Sequence, residues 1–204
     1  RFLLRHSPER VDLVVSDPAA FSFVRDRLPR EDLGALLDPR VNVVIDDPRR
    51  YLARSRGTWD LVLLLGPDPV TLGRARLLTE ESFRAVAARL APRGALVVPL
   101  RTASAALTGA TAALGGSVFG ALRAAFPVVR ATPGPDTLLV AGLEGAAVTL
   151  DPAVVTKRFR DRRIAAEAFA PELIPLLLEP ANVKRIEAAL DAASRRVAPA
   201  HDDR

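Results

Sequence analysis

The sequence predicts an α/β fold on a doubly wound, mostly parallel sheet, and three observations carry that expectation. Short apolar runs alternate with segments of helical periodicity up to residue 100. Within that pattern residues 59–100 alone read as strand, polar loop, amphipathic helix, Gly turn and second strand, which is a βαβ unit. Two further apolar stretches, 127–131 and 137–141, flank Pro133-Gly134-Pro135-Asp136 and read as an antiparallel hairpin at the far edge of the sheet.

Taken in order, residues 1–9 read as the tail of a helix entering a turn at Ser7-Pro8. Val11 to Val15 is a short apolar strand closed by Ser16-Asp17-Pro18. Ala20 to Leu28 places Phe21, Val24 and Leu28 on one side and predicts a helix stopped by Pro29. Asp38-Pro39 turns the chain into the β-branched strand Val41 to Ile45, after which Asp46-Asp47-Pro48 caps a helix carrying Tyr51 and Leu52. Trp59 to Leu65 is apolar apart from Asp60, as in a strand buried on both faces. Thr79 with Glu80 and Glu81 supplies an N-cap and first-turn acids for a helix with Phe83, Val86, Ala87 and Leu90 on one face. Ala91-Pro92-Arg93-Gly94 is expected to end it, and Ala95 to Leu100 to form the next strand. Thr102 to Gly116, rich in small residues, suits a short helix or a lid, and Val118 to Ala125 a helix. From Asp151 onward the chain is helical and Arg-rich, broken by Pro171, Pro175 and Pro180. The expected division is a sheet domain over 1–145 and a helical C-terminal appendage over 146–204.

Composition narrows the chemistry. At 204 residues there is material for one sizeable core, and no apolar run is long enough to span a bilayer. The absence of cysteine excludes disulfides, thiol nucleophiles and Cys-based zinc sites. His6 and His201 both lie near the termini, so neither a His-based metal centre nor a Ser-His-Asp triad is expected, and no metal is predicted. The net charge is +5, and all 29 basic residues except Lys157 and Lys184 are arginines. These arginines are not clustered with stacking aromatics, so nucleic acid is not an expected partner. The lack of methionine and the opening Arg1 predict a fragment or processed chain.

In open α/β sheets ligands bind outside the carboxyl ends of the strands. The loop after Leu65, with Asp68, Thr71, Arg74 and Arg76, is therefore the first place to seek chemistry. Three segments then carry a resemblance: VDLVVSDP at 11–18, DPRVNVVIDDPRRYL at 38–52, and the block from Trp59 with its DPV loop and TEESF helix start. Together they resemble the spermidine synthase (polyamine aminopropyltransferase) family, on a Rossmann-like sheet of the class I methyltransferase type. The loop 67–79 and the terminal His201-Asp202-Asp203-Arg204 resemble a bacterial subgroup of that family fused to membrane segments.

The resemblance implies decarboxylated S-adenosylmethionine as co-substrate, or S-adenosylmethionine itself, with a polyamine as acceptor. It implies that Asp47 lies at the adenine turn and that Asp68 is the catalytic acid facing the amine. Asp17 stands two positions past the expected ribose-binding acid, whose place is taken by Val15. The place of the general-base aspartate is taken by Leu65, and that of a glycine after Asp47 by Pro48. Each surviving acid also has a plainer role: Asp17 and Asp47 precede proline as helix N-caps do, and Asp68 sits between two prolines as a turn residue does. Tyr51 and Trp59 read as core rather than as cofactor platforms.

The family's first strand and glycine loop correspond to nothing after Arg1. In that fold this strand lies between the strands at 11–15 and 59–65, so the sheet is expected to be open there. Three functions follow: an aminopropyl transferase domain, a non-catalytic sensing or interaction module, or an S-adenosylmethionine-dependent methyltransferase. The expected partners are a polyamine or nucleoside, adjoining membrane segments in the parent chain, and a second copy in a homodimer. The expected location is the cytoplasm, as the soluble domain of a membrane protein.

Overall fold

The structure is a computed structural model, and it describes residues 1–65, 75–100, 109–134, 136–164 and 170–202. A 3-10 turn at Phe2–His6 ends at Ser7, whose φ of 50° puts it in the left-handed region. The strand β1 (Val11–Val15) leads to helix α1 (Pro18–Arg25), capped by Asp17, and then to α2 (Arg30–Leu36). Helix α2 escaped the sequence reading, although Pro29 before it and Glu31 and Asp32 in its first turn are ordinary start signals. Helix α1 starts two residues earlier than expected and ends at Arg25, because the Asp17-Pro18 pair itself nucleates it.

β2 (Val41–Ile45) and α3 (Pro48–Arg54) follow, then β3 (Trp59–Leu63), two residues shorter than its apolar run. After a 3-10 turn at Arg76–Leu78 come α4 (Glu80–Ala87), β4 (Leu90–Leu100) and α5 (Gly109–Ala125). Leu90, expected on the helix, is the first residue of β4 and pairs with Trp59; a register irregularity then brings Leu61 opposite Ala95. Gly94 makes this detour possible, since a Cβ there would lie 2.9 Å from the Trp59 carbonyl oxygen. Helix α5 begins nine residues before the expected Val118 and takes in the later part of the small-residue stretch, where a short helix or a lid was expected; Gly115 and Gly116 are buried in it.

β5 (Val128–Ala131) and β6 (Thr137–Gly142) form the predicted antiparallel hairpin. The chain ends in α6 (Pro152–Asp161), α7 (Ile174–Leu177) and α8 (Pro180–Ser194).

Among the described residues the strands form two sheets. β1 pairs with β2 in parallel, Val11 opposite Val41 through Val15 opposite Ile45. The second sheet has the order β3-β4-β6-β5, parallel between β3 and β4 and antiparallel beyond. β1 and β3 do not pair with each other, so the sheet is open where the sequence predicted. A side-chain knot bridges the opening. The Asp12 carboxylate, almost wholly enclosed, accepts from Arg10 Nε at 2.7 Å, Asn42 Nδ2 at 3.0 Å and, across the opening, Trp59 Nε1 at 3.4 Å. The Trp59 ring lies 6.0 Å from that of Tyr51. Trp59 packs partly buried against the core, and Tyr51 is half-buried beside it.

The core lies on one face of the second sheet. Leu96, Val98 and Leu100 of β4 alternate inward with Leu139 and Ala141 of β6, under Phe83 and Val86 of α4 and Val118, Phe119 and Leu122 of α5. α8 adds Ile186 and Leu190, and it approaches α5 so closely that a Cβ on Gly116 would lie 2.6 Å from the Ala193 backbone.

Candidate functional site at the carboxyl edge of the parallel strands

β1 and β2 end in near-identical turns, Ser16-Asp17-Pro18 and Asp46-Asp47-Pro48, each feeding a helix. Because Val15 is in register with Ile45, Asp17 and Asp47 occupy equivalent places on adjacent loops at the same sheet edge. The Asp46 amide closes the pair by donating to the Val15 carbonyl at 3.2 Å. The sequence spacing is thus converted into two exposed carboxylates on neighbouring loops, at the end of the sheet where ligands of such folds sit.

Both acids fill the plainer role as well. Asp17 Oδ1 accepts from the Ala19 and Ala20 amides at 2.9 Å each, and Asp47 Oδ1 accepts from the Arg50 amide at 3.0 Å. These caps use one oxygen of each carboxylate, and both residues remain exposed. Asp46 is held differently: the Arg50 guanidinium bonds its carboxylate and keeps it below its ordinary pKa, with the Asp47 amide assisting.

Val15, at the place where the sequence resemblance implied a ribose-binding acid, is half-buried at the end of β1 and offers no polar side-chain group. Leu65, beyond the end of β3, is 72% exposed: an apolar side chain presented to solvent where a proton acceptor was expected. Asp68, with Thr71 and Arg74, lies outside the described residues. Arg76 is described, and its carbonyl accepts from Arg49 Nη1 at 3.4 Å.

The sequence reading missed Arg49 and Asp202. Arg49, two residues past Asp47, forms a bidentate pair with Asp202 at 2.8 and 2.6 Å, and Thr79 Oγ1 donates to the same carboxylate at 2.9 Å. The shared hydrogen bonds raise the pKa of Arg49 and hold that of Asp202 down. No local signal could have paired residues so far apart in sequence.

Two other features do not compete for this role. An open cavity of about 460 Å³ lies in the other half of the molecule, floored by Phe119 and Phe126. Its charges are already matched, Arg123 to Asp191 and Arg130 to Glu187. No group of three His, Asp or Glu side chains positioned to hold a metal occurs among the described residues, and none of their helices is long and apolar enough to cross a membrane.

Comparison with known proteins places this geometry. The spermine/spermidine synthase domain matches residues 1–104, a stretch that includes both Asp-Pro turns. The polyamine aminopropyltransferase of Synechococcus sp. (strain JA-2-3B'a(2-13)) is 38% identical over 93 residues, 45% of this chain, and the match spans only 30% of that longer protein. A spermidine synthase solved in complex with the transition state analogue AdoDATO superposes with a TM-score of 0.71, at 19% identity, over 91% of this chain and 64% of that one. Human methyltransferase-like protein 13, solved with SAH, gives 0.60 at 18% identity, over 83% of this chain and 78% of its own. The two structures establish the Rossmann-like, methyltransferase-type fold. The domain match across the paired turns establishes the kinship: this chain belongs to the spermine/spermidine synthase family.

Proposed function

We propose that the chain forms part of an aminopropyl transferase that binds decarboxylated S-adenosylmethionine at the edge carrying Asp17 and Asp47 and transfers its aminopropyl group to a polyamine. The observation that carries this reading is the domain match over residues 1–104, which includes both acidic turns. In this scheme Asp47 receives the nucleoside base, and Asp17 approaches the ribose from the neighbouring loop.

The chemistry requires a neutral amine. Its nitrogen lone pair forms a bond to the methylene next to the sulfonium; the C–S bond breaks, and its electron pair returns to sulfur as the neutral thioether nucleoside leaves. Aligning amine and methylene supplies much of the rate, because the sulfonium is already a good leaving group. The proton shed by the amine needs an acceptor. With leucine at position 65, Asp68 is the acid assigned to that task, and it also offers the counter-charge that a desolvated ammonium group needs.

The test uses the full native polypeptide. Methylthioadenosine is expected to bind saturably in calorimetry, and Asp47→Ala to weaken it about tenfold, equivalent to roughly 1.4 kcal/mol. Asp68→Asn is expected to lower aminopropyl transfer by roughly 10²-fold or more. Absence of methylthioadenosine binding rejects the reading. Leu65 and Val15 favour a second one, a nucleoside-binding module without turnover; saturable binding with no transfer to any polyamine is its signature.

A further inference from the structure

The segment 198–202 does not trail into solvent; it crosses three helices. Ser117 of α5 donates through Oγ to the Ala198 carbonyl at 2.8 Å, and its backbone carbonyl accepts from the Ala200 amide at 3.4 Å. The Ala200 carbonyl then accepts from the Glu80 amide at 2.8 Å, satisfying one of the first-turn N–H groups of α4 that have no partner within the helix. Glu81 holds the next two residues, with its Oε1 3.1 Å from His201 Nδ1 and its Oε2 accepting from the Asp202 amide at 3.2 Å. Asp202 ends the crossing on Arg49 and Thr79.

The last contact differs from an ordinary surface pair. It is bidentate, it takes a third donor from the buried Thr79, and the Arg49 and Asp202 side chains are only 23% and 27% exposed. It also falls at an informative place. Arg49 is in the first turn of α3, directly behind Asp47-Pro48, while Thr79 caps α4. Helix α3 buries only Leu52 fully and packs on α4 and β1, and Arg49 and the Tyr51–Asp12 knot add polar anchors to that packing.

We infer that residues 198–202 act as a strap that positions the Asp47 turn against the start of α4, making Arg49 and Asp202 positioning residues for nucleoside binding. This rests on the nucleoside reading above, and its test separates the two. In the full native polypeptide without ligand, Asp202→Asn is expected to speed amide exchange at 79–83 and 48–54 several-fold. Methylthioadenosine affinity is expected to fall about tenfold, and Asp202→Glu to recover most of both. Arg49→Lys, which keeps the charge but loses the fork, gives a second variant with the same expected direction.

Unchanged exchange in both Asp202→Asn and Arg49→Lys overturns the strap, whatever the wild type binds. Faster exchange with unchanged affinity overturns the positioning role. A wild type that binds no methylthioadenosine overturns the nucleoside reading and the positioning role together, and the exchange measurement then decides the strap alone.

Discussion

The two sheets of this molecule are made of similar residues and end in different states. β1 and β2 are richer in valine than β4, yet no apolar side chain of either strand is fully buried, and α1 and α2 bury none at all. On β4, by contrast, Leu96, Val98 and Leu100 are at most 1% exposed. Phe23, Val24 and Leu37 lie open on the helices of the first half, and Leu61 is exposed on β3 beside the unpaired edge. Strand propensity is therefore not what separates the halves. β4 has a strand on each side and helices over one face, whereas β1 has one strand neighbour among the described residues.

The strongest challenge to this comparison is a pair of truncations. Leu96→Ala should cost about 3 to 5 kcal/mol in urea unfolding, because it removes a fully enclosed side chain from packed surroundings. Val14→Ala on half-buried β1 should cost no more than about 1 kcal/mol. Equal costs would abolish the distinction. Glycines extend the contrast: Gly116→Val forces α8 away from α5 and is expected to cost about 3 kcal/mol. Gly34→Ala meets nothing within 4 Å on α2 and should stabilise by about 0.5 to 1 kcal/mol.

Asp12→Ala probes the joint between the halves. Removing this enclosed carboxylate leaves the Asn42 and Trp59 donors without their acceptor and should cost roughly 1 to 3 kcal/mol, with a change in the fluorescence of the single tryptophan. Asp17→Ala, which removes a cap in the loosely packed half, should cost about 1 kcal/mol locally, seen as faster exchange in α1 rather than a lower global midpoint.

The smallest expected effect is on pH. Arg49 first, then Thr79, hold the Asp202 carboxyl below its ordinary value of 3.8 against the opposing effect of burial. A depressed pKa means the stabilisation is complete above 3.8 and is lost as pH falls through the lower, folded-state value. Amide protection at 79–83 should accordingly stay flat down to that ordinary value and decline only below it. A decline between pH 5 and 7 would show that another group controls the strap.

Much of the fold was legible because its signals are short-range. The Asp-Pro caps at 17, 47 and 151 start helices where they stand, and β5 and β6 pair as the expected hairpin. The misreadings occurred where a partner overrode a local pattern. Leu90 completes a helical stripe, yet it belongs to β4 because Trp59 offers it a strand edge. The small residues before Val118 lack periodicity but extend α5, because α8 needs a surface it can approach closely. Of the candidate site, Asp17 and Asp47 could be named from their turns, while Arg49 and Asp202 could not.

By itself, then, the sequence determined which segments become strands and helices, where most of them start, and which carboxylates stand at the ends of β1 and β2. Periodicity, proline geometry and capping act over a few residues and are written in order along the chain. Only the tertiary structure decided that the strands divide into two sheets, that Asp12 ties those sheets together, and that Asp202 closes on Arg49. These outcomes depend on which surfaces meet after collapse, and a pairing across 153 residues leaves no trace in the neighbours of either partner.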